Sequence, residues 1–215
     1  MDLGFSESQQ MLRSSAREFL EQECPASLVR DMEEDPRGYS PELWGKIAGL
    51  GWLGLPFPQG YGGMELSYLD LVLLLEEMGR SLLPGPFFSS VVLGGLTILS
   101  AGSPTQKQDI LSGIAKGEGL VTLALTEPSA TYSPEGVQTT ATLHDAEYVL
   151  NGTKLFVPDG QVADLLIVAT RTQEGRDPSQ GITLFLVDAK ASGIAITPLK
   201  TIAADKQAEV VFTDV

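Results

Sequence analysis

Apolar residues recur at helical spacing through roughly the first 118 positions and alternate at strand spacing through the rest. Ser6 with Gln9 three residues on forms a capping box, and Leu12, Ala16, Phe19 and Leu20 then share one face of a helix running to about Glu23. Pro25 and the acidic residues up to Arg37 interrupt that periodicity. Ser40-Pro41 opens a second helix with Leu43, Ile47 and Leu50 as its stripe, closed by Gly51. From Gly51 to Gly63 the glycines and prolines predict a long loop rather than regular structure. It lacks both a preceding strand and G-x-G-x-x-G spacing, so no phosphate chemistry is assigned to it. Ser67 and Asp70 cap the next helix, whose run Leu69 to Leu75 is apolar nearly all round and predicts burial before Glu76, Glu77 and Arg80 return it to water. Pro84-Gly85-Pro86 breaks the pattern. Phe88, Val91, Val92, Leu96 and Leu99 make another helical stripe, and Ser103-Pro104 starts a last helix carrying Ile110, Leu111 and Ile114.

From Leu120 the period drops to two, with strands predicted over Val137 to Leu143, Tyr148 to Leu150, Leu155 to Val157, Leu165 to Thr170, Ile182 to Val187, Ile194 to Pro198 and Glu209 to Thr213. Asn151-Gly152 between two of these runs reads as a hairpin turn of type I′. The expected fold is α+β in two domains: an all-α helical domain over 1–118, then an antiparallel β-barrel or sandwich over 119–215.

The stretch Val121 to Gly136 joins the two halves, where an alternating strand stops at Thr126-Glu127-Pro128. Two readings stand. It is a strand running into a loop, or it is a polar edge on an apolar wall, with the Thr126 hydroxyl and the backbone groups of Leu123 and Leu125 able to meet a flat heteroaromatic ligand.

Composition narrows the classes. With 215 residues, 43% of them apolar, the chain can bury two cores. A net charge of -14 without a basic cluster argues against nucleic acid as a partner. One cysteine, Cys24, and one histidine, His144, exclude a disulfide framework and a Cys/His zinc site, so no metal is expected and the compartment reads as reducing. Met1 to Phe5 has no basic leader, and no apolar run reaches the ~18 residues of a membrane span, which predicts a cytoplasmic protein without membrane contact.

Four short motifs in order carry a family resemblance: Gly51-Trp52-Leu53-Gly54-Leu55-Pro56 with Tyr61-Gly62-Gly63, Glu76-Glu77-Met78-Gly79-Arg80, Leu123-Ala124-Leu125-Thr126-Glu127-Pro128, and Leu150-Asn151-Gly152-Thr153-Lys154. Together they resemble the acyl-CoA dehydrogenase family. The resemblance implies FAD held on the β domain without a Rossmann fingerprint. Leu123, Ala124, Leu125 and Thr126 would line the pyrimidine rim, and Phe156, Val157 and Pro158 would flank the ring on the side that takes hydride. It implies α,β-desaturation of an acyl-CoA thioester, with an electron-transferring flavoprotein as electron acceptor; an oxidase stays open.

Three departures accompany it. Ser129 to Pro134 replaces the family's G-x-G-S-D, which bears on substrate contact by Tyr132 and Ser133. Pro158 stands where the family has a threonine near flavin N5. The family's C-terminal helical domain, which carries the catalytic glutamate, is not in this chain, so no catalytic residue is nominated and that domain is expected in cis or in trans within a homo- or hetero-oligomer. A non-catalytic partner subunit of a mixed complex is the alternative reading. Glu127 is expected as a capped or exposed structural carboxylate, His144 as a surface residue and Cys24 as a buried filler.

Overall fold

Helices fill the first half of the chain and strands the second in a computed structural model that describes residues 4–173 and 177–215. The first three residues, part of the N-terminal stretch read above, lie outside the described residues. Packing divides the chain into two units, one made of Met1–Gly85 with Ile98–Glu118 and the other of Pro86–Thr97 with Gly119–Val215.

In the first unit, α1 (Glu7–Glu23) opens on the expected box: Ser6 Oγ accepts from the Gln9 N–H, and the Gln9 side chain accepts from the Ser6 N–H. It buries Ala16 and Leu20. The stretch after Pro25, read as an interruption, is a helix, α2 (Ala26–Glu34). Pro25 stands at its N-cap, where a missing N–H costs nothing, and α2 buries no residue, so no core stripe marked it. Helix α3 (Pro41–Gly49) is capped by Ser40 and buries Leu43, Trp44 and Ile47. The glycine-rich loop contains two single 3-10 turns, and a Cβ on Gly63 would lie 2.0 Å from the Phe57 carbonyl oxygen, so two backbone segments touch there.

Helix α4 (Tyr68–Arg80) differs from expectation on both faces. Leu71, Leu73, Leu74 and Met78 are buried, but Tyr68, Leu69 and Val72 are exposed, because a helix packed on one side can hide only one stripe. Glu77, expected in water, is 1% exposed. Arg17 and Arg13 reach it at 2.6 and 3.0 Å, and those guanidinium hydrogen bonds hold its carboxyl down at about 2 against the opposing pull of burial. The stripe from Phe88 to Leu99 is not one α-helix: Phe88–Gly95 is π-helical and passes into α5 (Leu96–Ala101). A wider turn buries Ser89 and Ser90 beside Val91. Helix α6 (Pro104–Lys116) follows its Ser103 cap and stops at Gly117, φ 77°.

The second unit is built on β1 (Val121–Ala124), β2 (Thr140–His144), β3 (Glu147–Pro158), β4 (Leu165–Arg171), β5 (Ile182–Asp188), β6 (Ile194–Leu199) and β7 (Gln207–Phe212), in the order β1-β4-β2-β3-β7-β6 with β5 also on β4. The expected purely antiparallel arrangement is corrected: the sheet is mixed. Strand β1 runs parallel to β4 over Val121↔Leu165 to Ala124↔Val168, and β2 meets the same edge, also parallel, at Thr140↔Arg171. Between β1 and β4 the chain reverses twice, once in the β2–β3 hairpin and once from β3 to β4, so β4 returns in the direction of β1 and β2.

Asn151-Gly152 is not a turn. Both residues lie mid-strand in β3, and the hairpin reverses at Asp145, φ 55°. Gly152 sits at φ 152°, and a Cβ there would come within 2.6 Å of Thr139 Oγ1. The glycine serves close approach of two strands, not reversal. Asn151 uses its side chain as a third strand would, donating to Asp214 Oδ1 at 2.9 Å and accepting the Asp214 N–H at 3.0 Å. The core gathers Ala141, Leu150, Val157, Leu166, Val168, Val210 and Phe212.

Candidate functional site

Strand β1 ends at Ala124, and the next two residues turn onto β3. The Leu155 N–H donates to the Thr126 carbonyl at 2.8 Å, and Lys154 Nζ donates to the Leu125 carbonyl at 3.3 Å. Four residues back, Thr122 Oγ1 donates to the Pro158 carbonyl at 2.7 Å. Leu123 to Thr126 and Phe156 to Pro158 therefore lie side by side, although thirty residues separate them in sequence.

What these bonds leave over defines the surface. The carbonyls of Leu125 and Thr126 are consumed, whereas among the described residues the N–H groups of both and the Thr126 hydroxyl enter no hydrogen bond. Ala124 and Val157 are buried beneath, and Leu125 at 37% and Phe156 at 50% exposure stand out of the sheet. Phe156 is turned outward by a bulge: pairing with β7 shifts register between Lys154 and Val157, and Phe156 takes φ 52°. Asp159 takes the same left-handed value, so the pair Val157-Pro158 is bracketed by two residues in a conformation that non-glycine residues rarely hold. Pro158 offers no N–H, and its carbonyl is already engaged.

Beneath lies an ion pair that the sequence reading did not place. Lys154 Nζ, 0% exposed, stands 2.6 Å from Glu127 Oε1. Glu127 also accepts the Gln138 N–H at 2.8 Å and the Thr139 N–H at 3.0 Å. Burial raises the Glu127 carboxyl, but Lys154 and the two amides outweigh it and hold the carboxyl below its ordinary range. Burial lowers the Lys154 ammonium, with Glu127 opposing. The expectation of Glu127 as a capped or exposed structural carboxylate is corrected in one respect: at 4% exposure it is not exposed, and its partners are a buried ammonium and two backbone amides. Strand alternation could have revealed Lys154, since it shares a face with Leu150.

The remaining candidates lie elsewhere. Tyr132 is 81% exposed, and Ser133 Oγ lies 3.0 Å from Thr131 Oγ1 on the same loop. That loop is pinned by Arg171, whose guanidinium donates to the carbonyls of Pro134 at 2.8 Å, Val137 at 3.0 Å and Gln180 at 3.2 Å. His144 is exposed opposite Glu147 at the hairpin end. Cys24 is buried, its thiol pushed up by burial and directed at the Ser81 carbonyl. Among the described residues no group of three His, Cys, Asp or Glu side chains could hold a metal ion, and no helix is long and apolar enough to cross a membrane.

Comparison with known proteins gives two domain matches: residues 6–118 fit the acyl-CoA dehydrogenase N-terminal domain and residues 122–215 its middle domain. A 3-(aryl)acrylate reductase of Clostridium sporogenes is 33% identical over 193 residues, covering 89% of this chain and 50% of that protein. A short-chain specific acyl-CoA dehydrogenase of Clostridium acetobutylicum is 31% identical, covering 100% of this chain and 57% of its own length. Among solved structures, the ChsE4-ChsE5 complex from Mycobacterium tuberculosis aligns at TM-score 0.87 and 27% identity, over 100% of this chain and 56% of the matched one. The chain thus spans about half the length of the relatives it matches.

Proposed function

Since the chain belongs to the acyl-CoA dehydrogenase family, we propose that it supplies the helical domain, 1–118, and the β domain, 119–215, of an FAD-dependent enzyme that desaturates an acyl-CoA thioester between its α and β carbons. The observation that carries this reading is the convergence of Leu123 to Thr126 with Phe156 to Pro158, where carbonyls are tied inward and donors are left over. A flat ring with an acceptor-rich edge matches that inventory. The Leu125 N–H and the Thr126 hydroxyl would take the pyrimidine edge, and Val157 with Pro158 would back the ring. When bound, the flavin supplies the hydride acceptor; the protein's share is orientation and exclusion of water, and held reactants can gain roughly 7–11 kcal/mol from positioning alone. Among the residues placed here none is assigned as the base that removes the α-proton. Tyr132 and Ser133, on the loop pinned by Arg171, are the substrate-side candidates. An electron-transferring flavoprotein is the proposed acceptor and the cytoplasm the proposed compartment.

A second reading, a non-catalytic partner subunit in a mixed complex, is favoured by Pro158. It can give a ring neither an N–H nor a hydroxyl, and its carbonyl is taken by Thr122. One similar structure is itself a complex of two named components.

The test is colour. The purified chain alone should take up FAD weakly or not at all and should not desaturate any acyl-CoA. Co-expressed with the helical remainder of a full-length relative, it should come out yellow and bleach on addition of an acyl-CoA. A colourless assembled complex would favour the subunit reading, and turnover by the chain alone would refute the assignment of the base to another part.

A further inference from the structure

Thr126 lies between two peptide units whose carbonyls are both tied to β3. The Thr126 carbonyl takes the Leu155 N–H at 2.8 Å, a bond of the kind a neighbouring strand offers. The Leu125 carbonyl, one residue earlier, takes Lys154 Nζ at 3.3 Å. On any one edge a strand's backbone groups face a neighbour at every second residue, so the donor for this adjacent carbonyl comes from a side chain.

No cis peptide bond occurs among the described residues, and in a planar trans peptide the N–H and the C=O point in opposite directions. The Leu125 carbonyl and the Thr126 N–H belong to the same unit. Lys154 is 0% exposed, so a carbonyl drawn towards it is drawn inward, and the N–H across that plane is sent outward. That N–H enters no hydrogen bond among the described residues. The unit lies past Ala124, the last residue of β1, so the Lys154 contact is what fixes its rotation at that carbonyl.

Two contacts place the ammonium for this. Lys154 stands on the inward face of β3 just ahead of the bulge, and Glu127 Oε1 holds its Nζ at 2.6 Å. Glu127 is itself fixed by the Gln138 and Thr139 amides, at 2.8 and 3.0 Å. The ion pair therefore has two separable tasks. Charge balance in the interior is shared by both partners, whereas the aim of the Leu125–Thr126 peptide belongs to Lys154.

We propose that Lys154 is a positioning residue that turns the Thr126 N–H outward as a fixed donor for an acceptor atom, oxygen or ring nitrogen, on the edge of a bound ring. The aim of the peptide is independent of any ligand; only the identity of the ring rests on the flavin reading. A backbone donor is thereby added to the Leu125 N–H and the Thr126 hydroxyl.

The experiment separates aim from stability. Lys154→Met leaves the Glu127 carboxylate without its counter-ion, and the chain should lose stability. Combining it with Glu127→Gln removes both charges while keeping an oxygen for the Gln138 and Thr139 amides, so part of that stability should return. The Leu125 carbonyl carbon, followed by NMR in the full chain without ligand, should move upfield in both variants, as a carbonyl does on losing a donor. With FAD as probe, in the assembly with the helical remainder, affinity should fall by about tenfold in both, the worth of one hydrogen bond. A Leu125 carbon that stays in place in Lys154→Met overturns the proposal. So does an FAD affinity that returns with stability in the double variant, since a purely structural pair would behave in that way. A Leu125 carbon that moves as expected, with a wild-type assembly that takes up no FAD, leaves the aim of the peptide standing and counts against the flavin reading.

Discussion

Lys154 is where residue chemistry and site meet most closely. Its ammonium, 0% exposed, holds both Glu127 and the Leu125 carbonyl. Lys154→Met keeps the volume and removes the charge, leaving a buried carboxylate with only two amides for company. We expect a loss of about 3 kcal/mol, the lower end of what breaking a buried pair costs, read as a lower urea midpoint. Glu77 makes the pH-dependent counterpart. Its folded carboxyl is held at about 2 by Arg17 and Arg13, below the value of 4.5 for a free glutamate, so its contribution is complete above about pH 5 and drains away as pH falls towards 2. Stability measured between those limits should drop more steeply in the wild type than in Glu77→Gln. Neither residue's partner was legible in the sequence. Glu77 stands on the buried face, four residues after Leu73 and three after Leu74, but its charge reads as solvent-facing, and its guanidinium partners come from α1, some sixty residues away. Long-range pairing of charges leaves no local pattern to read.

At the scale of elements, caps were the most readable features, because a cap is a local contract between residues three apart. Ser6, Ser67 and Ser103 each accept from the N–H of the third helical residue, as their spacing implies. Asn151-Gly152 misled for the converse reason. The dipeptide signals a reversal when nothing else competes, but here Asn151 is recruited by Asp214 and Gly152 by the need to pass Thr139. Gly152→Ala should therefore destabilise by more than about 2 kcal/mol, through both the φ of 152° and the contact with Thr139, and should lower the thermal midpoint by several degrees. If the pair were a turn, alanine would disturb only the hairpin end. The mixed sheet was unreadable for a related reason: strand runs reveal alternation, whereas direction depends on what lies between them.

Over the whole molecule, the change from helical to strand periodicity near Leu120 was plain, yet the packing units do not follow it in simple succession. Residues 86–97 group with the strands, although their apolar spacing reads as helix and nothing in that spacing names a neighbour. A fragment beginning at 119 would lack Ser89, Ser90 and the apolar Val91, and we expect it to denature at lower temperature than a fragment beginning at 86 and to bind a hydrophobic dye more strongly. Equal stability of the two fragments would contradict the grouping. The bulge in β3 has its own consequence for how this chain could vary. Before it the inward side chains are even-numbered, Leu150 and Lys154; after it they are odd, beginning with Val157. Losing a single residue at 155 or 156 would bring Val157 to an even position and restore a regular ladder with Val157 still facing inward opposite Ala208, so the extra residue serves the outward stand of Phe156 and not the core beneath it.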